Sequence, residues 1–318
     1  MRRYVFSEFT PLEELTAGET LALLAREELF VYVAFPPQLR SQAAEVVRRC
    51  QGAGVAIGIW PLLEDRQGRW ANSWNGAEFA DYCLRLLDEL HAVDAVPDEV
   101  IIDLEPPISA TKRILAGRPT TLRRPSRGGA AALAEMVRKL GAICPVSAVA
   151  VPWAACGDGA GGWQRLLGTP IDGLAFERVF IMAYTSLIEG YSAGTLRRRH
   201  AEALLAHWSK RMTLQFGDRG GIAVGVAGIG ALGDERAYRD ATELGRDVSL
   251  ARLHGCEHLA LFNLRGVLSR EEPSRWFDAL RESREVAGTS STVRTRALLR
   301  VLDVTGRIFD KRDRVKVR

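Results

Sequence analysis

The chain has 318 residues, 47% of them hydrophobic and 26% charged, which is enough to bury a large core and excludes general disorder. Its 43 basic and 39 acidic residues leave a formal charge of +4, and the arginines are spread along the length, so no nucleic-acid partner is expected. The opening stretch Met1-Arg2-Arg3-Tyr4-Val5-Phe6-Ser7-Glu8 turns polar before a signal sequence can form, and no apolar run reaches membrane length. A cytoplasmic location with no membrane partner is therefore expected.

In chain order, short apolar and β-branched runs predict strands over 4–8, 29–35, 55–62, 99–105, 146–152, 178–184, 222–228 and 258–264. Helical periodicity fills 11–27, 38–52, 77–92, 130–142, 195–213, 235–253 and 273–285. Eight strands alternating with helices predict an α/β chain folded as a (β/α)8 TIM barrel, a single domain over 1–288. A doubly wound open sheet is the second arrangement this pattern allows. The glycine-rich stretch 154–171 shows little periodicity, and 289–318 reads as a basic tail or an extra helix.

The five cysteines are scattered and never form a C-x-x-C pair, and the five histidines lack an acidic or cysteine set beside them. No metal site, no disulfide framework and no cofactor are expected. The five lysines all fall away from predicted strand ends, which argues against Schiff-base chemistry.

The fourth strand carries the strongest chemical signal. Glu99-Val100-Ile101-Ile102-Asp103-Leu104-Glu105 ends in two acids two positions apart and is stopped by Pro106-Pro107. Residues i and i+2 of a strand share a face, so Asp103 and Glu105 point the same way at the C-terminal lip, where such barrels keep their chemistry. Other predicted strand ends offer Glu8, Glu64, Asp65, Trp153, Tyr184, Thr185, Asn263 and Arg265. This set is acidic and aromatic, which favours carboxylate acid catalysis on a carbohydrate. The loop Arg66-Gln67-Gly68-Arg69-Trp70-Ala71-Asn72-Ser73-Trp74-Asn75 supports that choice, because indole faces with amides beside them suit sugar rings. Trp70, Trp74, Trp153, Asn263 and Arg265 are the candidate substrate contacts, whereas Trp60 reads as core.

Three further patterns compete. Gly228-Ile229-Gly230-Ala231-Leu232-Gly233 matches G-x-G-x-x-G after a strand and before a predicted helix. The acid of a dinucleotide site is missing from the next strand, so Gly228, Gly230 and Gly233 form either a plain turn or a phosphate cradle. Gly190-Tyr191-Ser192-Ala193-Gly194 matches a nucleophile elbow without a histidine to complete a triad. The arginine-rich segment 111–127 could cover the fourth-strand end and attract an anionic ligand.

The ending Asp103-Leu104-Glu105 resembles the tail of the D-x-x-D-x-D-x-E motif of family 18 glycoside hydrolases, the chitinases and endo-β-N-acetylglucosaminidases. Met182-Ala183-Tyr184 is likewise similar to that family's M-x-Y motif on the sixth strand. The resemblance implies that Glu105 protonates the glycosidic oxygen, that Asp103 holds the substrate's acetamido group, and that Tyr184 hydrogen-bonds its carbonyl in a substrate-assisted mechanism. Asp98 meets the motif's first acid, but Ile101 stands at its middle aspartate, Leu104 where an aromatic is common, and Thr185 where an aspartate often follows the tyrosine. The eighth strand ends Asn263-Leu264-Arg265 instead of in a tryptophan. Three functions follow as expectations: a glycosidase for an N-acetylated amino-sugar glycan, an enzyme for a phosphorylated metabolite using the glycine turn, or a non-catalytic carbohydrate-binding protein.

Overall fold

Eight parallel strands close a barrel in the order β1 to β8: Arg3–Ser7, Leu29–Phe35, Ala56–Pro61, Glu99–Leu104, Val146–Ala150, Val179–Met182, Gly220–Gly225 and His258–Phe262. The computed structural model describes residues 2–115, 126–282, 285–286, 288–289 and 291–314. Strands buried on both faces need continuous apolar sequence, and β2, Leu-Phe-Val-Tyr-Val-Ala-Phe, is buried along its whole length. Helices follow the strands, as the expected (β/α)8 alternation requires. By packing, the chain divides into two compact units. One comprises Met1–Val33, Val46–Gly58 and Phe180–Arg296, and the other Ala34–Glu45, Ile59–Val179 and Ala297–Arg318.

In the first unit, β1 pairs with β2 and β8, with Tyr4 opposite Phe30 and Ala260, and Phe6 opposite Tyr32 and Phe262. Tyr4 and Tyr32 stack at 5.6 Å, and Phe180 meets Tyr4 edge-on at 5.1 Å. Glycine at 58 and at 221 makes room for these rings: a Cβ on Gly58 would lie 2.5 Å from Tyr32 Cδ1, and one on Gly221 would run into Phe180. In the second unit, β4 pairs with β5 in the register Ile101 to Ser147 and Asp103 to Val149.

Several element boundaries differ from expectation, each for a local reason. The helix expected over 11–27 is two, Leu12–Leu15 and Gly18–Arg26, because the Thr16 hydroxyl donates to Leu12 O (2.8 Å) and Ala17 is extended. The segment 154–171 does hold helices, Pro152–Ala155 and Ala160–Leu167. The sixth strand stops at Met182, and Tyr184 becomes the N-cap of a helix at Thr185–Tyr191. No helix opens directly after Gly233. The next one begins at Ala241, where Asp240 Oδ1 accepts the N–H groups of Thr242 and Glu243 at 2.8 and 3.1 Å. The chain's basic end forms a helix over Val293–Arg314. Among the described residues no helix is long and apolar enough to cross a membrane.

Candidate active site

The end of β4 is built within the second unit. Asp103 is 3% exposed, and Glu105, one residue past the strand, is half-buried. The loop following β3 is laced to this strand end by backbone. Ala71 N–H donates to Asp103 O at 2.8 Å, and Asn72 Nδ2 donates to Glu105 O at 3.1 Å. Asn72 Oδ1 accepts the N–H groups of Trp74 and Asn75, while Asn75 Nδ2 donates to Gln67 O and Trp70 O at 2.9 and 2.8 Å. Ser73 donates both its N–H and its hydroxyl to Gly168 O. This lacing corrects the expectation for the loop: both asparagine amides are spent on holding its own backbone, and neither is presented to a ligand.

The tryptophans separate into two kinds. Trp70 is 5% exposed and belongs to the core, which corrects its place among the substrate contacts. Trp74 is half-buried, with its ring lying where a Cβ on Gly168 would go. Trp153, also half-buried, follows β5 and meets Trp163 edge-on at 6.4 Å. Trp60 is core, 3% exposed. Of the arginine-rich segment 111–127, residues 116–125 lie outside the described residues.

In the first unit, Tyr184 stands after β6, half-buried, with its ring stacked on Phe262 at 5.7 Å and 19°. The residues after it are clamped. The Ser186 hydroxyl donates to Gly225 O (2.9 Å) and accepts from Val226 N–H (2.8 Å). Thr185 Oγ1 donates to Asp247 Oδ2 and accepts from Arg198 Nη1 at 2.7 Å. Asp247 is fully buried and also receives Tyr238 OH and Arg198 Nη2, each at 2.6 Å. Burial pushes the Asp247 carboxyl up to about 6, against the pull of Arg198 and of the Thr185 and Tyr238 hydroxyls. The sequence reading missed this network. Its signal was present, because Asp247 falls on the apolar face of its helix, three residues after Leu244 and four before Ala251.

Asn263 and the glycine turn also prove structural. Asn263 is fully buried, donating to Ile229 O at 2.5 Å and capping the next helix by accepting Gly266 N–H at 3.0 Å. Its amide is thereby used up, which corrects its assignment as a substrate contact. Gly228 has φ +112° and lies so close to Gly266 that a Cβ there would sit 2.6 Å from Gly266 Cα. The N–H groups of Leu232 and Gly233 are occupied by the Glu235 carboxylate at 2.6 and 2.7 Å, and the same carboxylate fills the space beside Gly230. The turn of Gly228, Gly230 and Gly233 thus carries an anion of its own on the Leu232 and Gly233 amides, which a phosphate there would have to displace. Arg265 is exposed and ion-paired with Glu14. Ser192 of the elbow-like pattern donates to Glu189 O and Leu196 O at 3.0 Å each. All five cysteines are free and buried. Among the described residues no cluster of three or more His, Cys, Asp or Glu could hold a metal ion.

No protein-family model matches the chain. No curated protein matches it either. Solved structures do. The chain is similar to the PgaB (BpsB) glycoside hydrolase domain of Bordetella bronchiseptica, with a TM-score of 0.55 and 12% identity over 90% of this chain and 100% of that one. It is equally similar to a chitinase of Rhizomucor miehei, at 0.55 and 12% over 89% and 100%. A broad-specificity endoglucanase of Ruminococcus champanellensis, solved with cellotriose, gives 0.52 and 10% over 87% and 95%. At such identities the likeness establishes the fold, a (β/α)8 barrel.

Proposed function

We propose that this barrel is a glycosidase acting on an N-acetylated amino-sugar glycan by acid catalysis with substrate assistance. The observation that carries the reading is the pair Asp103 and Glu105 at the C-terminal end of β4, with the backbone of both tied to the loop after β3. In this reading Glu105, the more exposed of the two, gives its proton to the glycosidic oxygen as the bond to the leaving group breaks. The substrate's own acetamido oxygen attacks the anomeric carbon, and water then opens the cyclic intermediate while Glu105 takes back a proton. Asp103 holds the acetamido N–H, and Tyr184 gives its hydroxyl hydrogen bond to the acetamido carbonyl, the roles that the motif resemblance implies. Trp74 and Trp153 remain as sugar-stacking candidates because both are half-buried, not fully enclosed. The sugar-bound barrel with cellotriose supports a glycan ligand for this architecture. The closed lattice of hydrogen bonds around Glu235 gives no support to the phosphorylated-metabolite alternative.

The test is hydrolysis of a panel of fluorogenic N-acetylglucosaminides and mixed glycosides by the wild type and Glu105→Gln, both checked for fold by circular dichroism. Turnover is expected in the wild type and a loss of at least about 100-fold in the variant, the size of a missing general acid. Equal rates in the two proteins would refute Glu105 as the acid. Saturable sugar binding by both proteins with turnover by neither would replace the enzyme with a carbohydrate-binding protein.

A further inference from the structure

The C-terminal helix has two apolar faces, and the described residues cover one of them. On the covered side Trp163 Nε1 donates to Leu302 O at 2.9 Å, and Gly306 packs so tightly on Gly159 and Gly162 that a Cβ on Gly162 would overlap Gly306 O. Arg165 pairs with Asp310 on the same side. The opposite side carries Ala297, Val301, Val304 and Ile308, all exposed, with Val301 at 60%, Val304 at 56% and Ile308 at 48%. Their spacing of four, three and four residues is that of a coiled-coil seam, with β-branched Val301 and Ile308 at its a positions. Arg300 and Arg307 stand along one edge of the seam, seven residues apart, and Arg314 continues that spacing in the sequence. Both Arg300 and Arg307 are exposed. Arg307 reaches Asp158 at 2.5 Å, while Arg300 has no ion pair among the described residues.

This pattern specifies its occupant by charge. A second copy paired antiparallel sets the arginine edge against itself, and one paired parallel sets it against Leu298 and Thr305, so neither supplies an acid. A membrane surface selects a broad apolar face rich in tryptophan, phenylalanine or leucine, and this seam is narrow and built of alanine, valine and isoleucine. We propose that the Ala297–Ile308 face docks an amphipathic helix of another protein, one that presents its own apolar seam flanked by a row of glutamate or aspartate. The acids meet Arg300, which has no ion pair among the described residues, and the apolar seams close over Val301, Val304 and Ile308.

The probe is a fluorescein-labelled peptide of about four heptads with leucine at its seam and glutamate at the flanks. Anisotropy titration with the full chain is expected to give saturable binding that weakens about tenfold or more in Arg300→Glu and in Val304→Asp. Both substitutions lie on exposed positions, so circular dichroism and melting temperature are expected to match the wild type. A lysine-flanked peptide of the same seam is expected to bind Arg300→Glu more tightly than wild type. No saturation below about 100 μM, or equal binding by wild type and both variants, would overturn the proposal. So would concentration-dependent dimers of the chain alone that Val304→Asp dissolves, or preferential binding to phosphatidylglycerol vesicles over the peptide.

Discussion

Asp247 is the residue whose electrostatics reach furthest. Three donors converge on its carboxylate, from Thr185, Tyr238 and Arg198, yet burial still pushes the carboxyl up to about 6. Desolvation, helped by the nearby negative charge of Glu202, therefore outweighs the ion pair and the hydrogen bonds. The folded chain then holds this proton more tightly than the unfolded chain, whose aspartates titrate near about 4. The resulting stabilisation is complete below that value and is lost as the pH rises through about 6. Asp247→Asn removes the titration while keeping the shape of the side chain. Urea denaturation at pH 4, 5, 6 and 7 is expected to show the wild type losing on the order of 1–3 kcal/mol relative to the variant across that window. Parallel stability curves for the two proteins would contradict the elevated carboxyl. The same network fixes the backbone on which Tyr184 stands, because Thr185 is the next residue and both of its hydroxyl contacts belong to the cluster.

At the scale of elements, close backbone approach recurs wherever two helices or a helix and a loop must be set firmly. Gly76 of the Gly76–Ala92 helix faces Gly129 of the Arg127–Leu140 helix, and Gly129 in turn abuts Ser73 O. That crossing seats the loop whose Asn72 reaches Glu105, so helix packing and strand-end geometry are one construction. Gly306 does the same for the C-terminal helix against Gly159 and Gly162. A methyl group at 162 overlaps the Gly306 carbonyl, at the crossing that the Trp163 bond and two ion pairs, of Arg165 with Asp310 and of Arg307 with Asp158, also hold. Gly162→Ala is expected to loosen this helix at a cost of about 1–3 kcal/mol, the usual range for overpacking. Limited proteolysis followed by mass spectrometry checks it: cleavage within Val293–Arg314 should come earlier in the variant, with cleavage elsewhere unchanged. An unchanged digestion pattern would show that the crossing tolerates the extra volume.

For the whole molecule, the barrel was legible because its strands are buried on both faces and therefore written as unbroken apolar runs, as in Leu29–Phe35. The acidic pair stands out in the sequence because two carboxylates close an otherwise apolar run, and the structure buries Asp103 and leaves Glu105 half-buried. What the sequence concealed was the partner of each polar group. Asn72 and Asn263 look like ligand contacts until their amides are traced to the backbone of Trp70 and Glu105 and of Ile229 and Gly266, and a glycine turn looks like an anion site until Glu235 is seen filling it. Glycines within strands were equally opaque, since their purpose lies on another strand. Gly58 of β3 and Gly221 of β7 yield their side-chain space to Tyr32 and Phe180, which pack with Tyr4 and Phe30. The aromatic rings and the glycines therefore form one volume, and their energies should not add independently. Gly58→Ala alone is expected to cost about 1–3 kcal/mol, because its methyl sits 2.5 Å from Tyr32 Cδ1 and a close-packed interior cannot yield. Tyr32→Leu alone is expected to cost a similar amount by leaving a cavity. The double variant refills part of that cavity with the new methyl, so it should be more stable than the sum of the two losses by at least about 0.5 kcal/mol. Thermal denaturation of the four proteins in the cycle measures that coupling, and strict additivity would show that the ring moves aside without resistance.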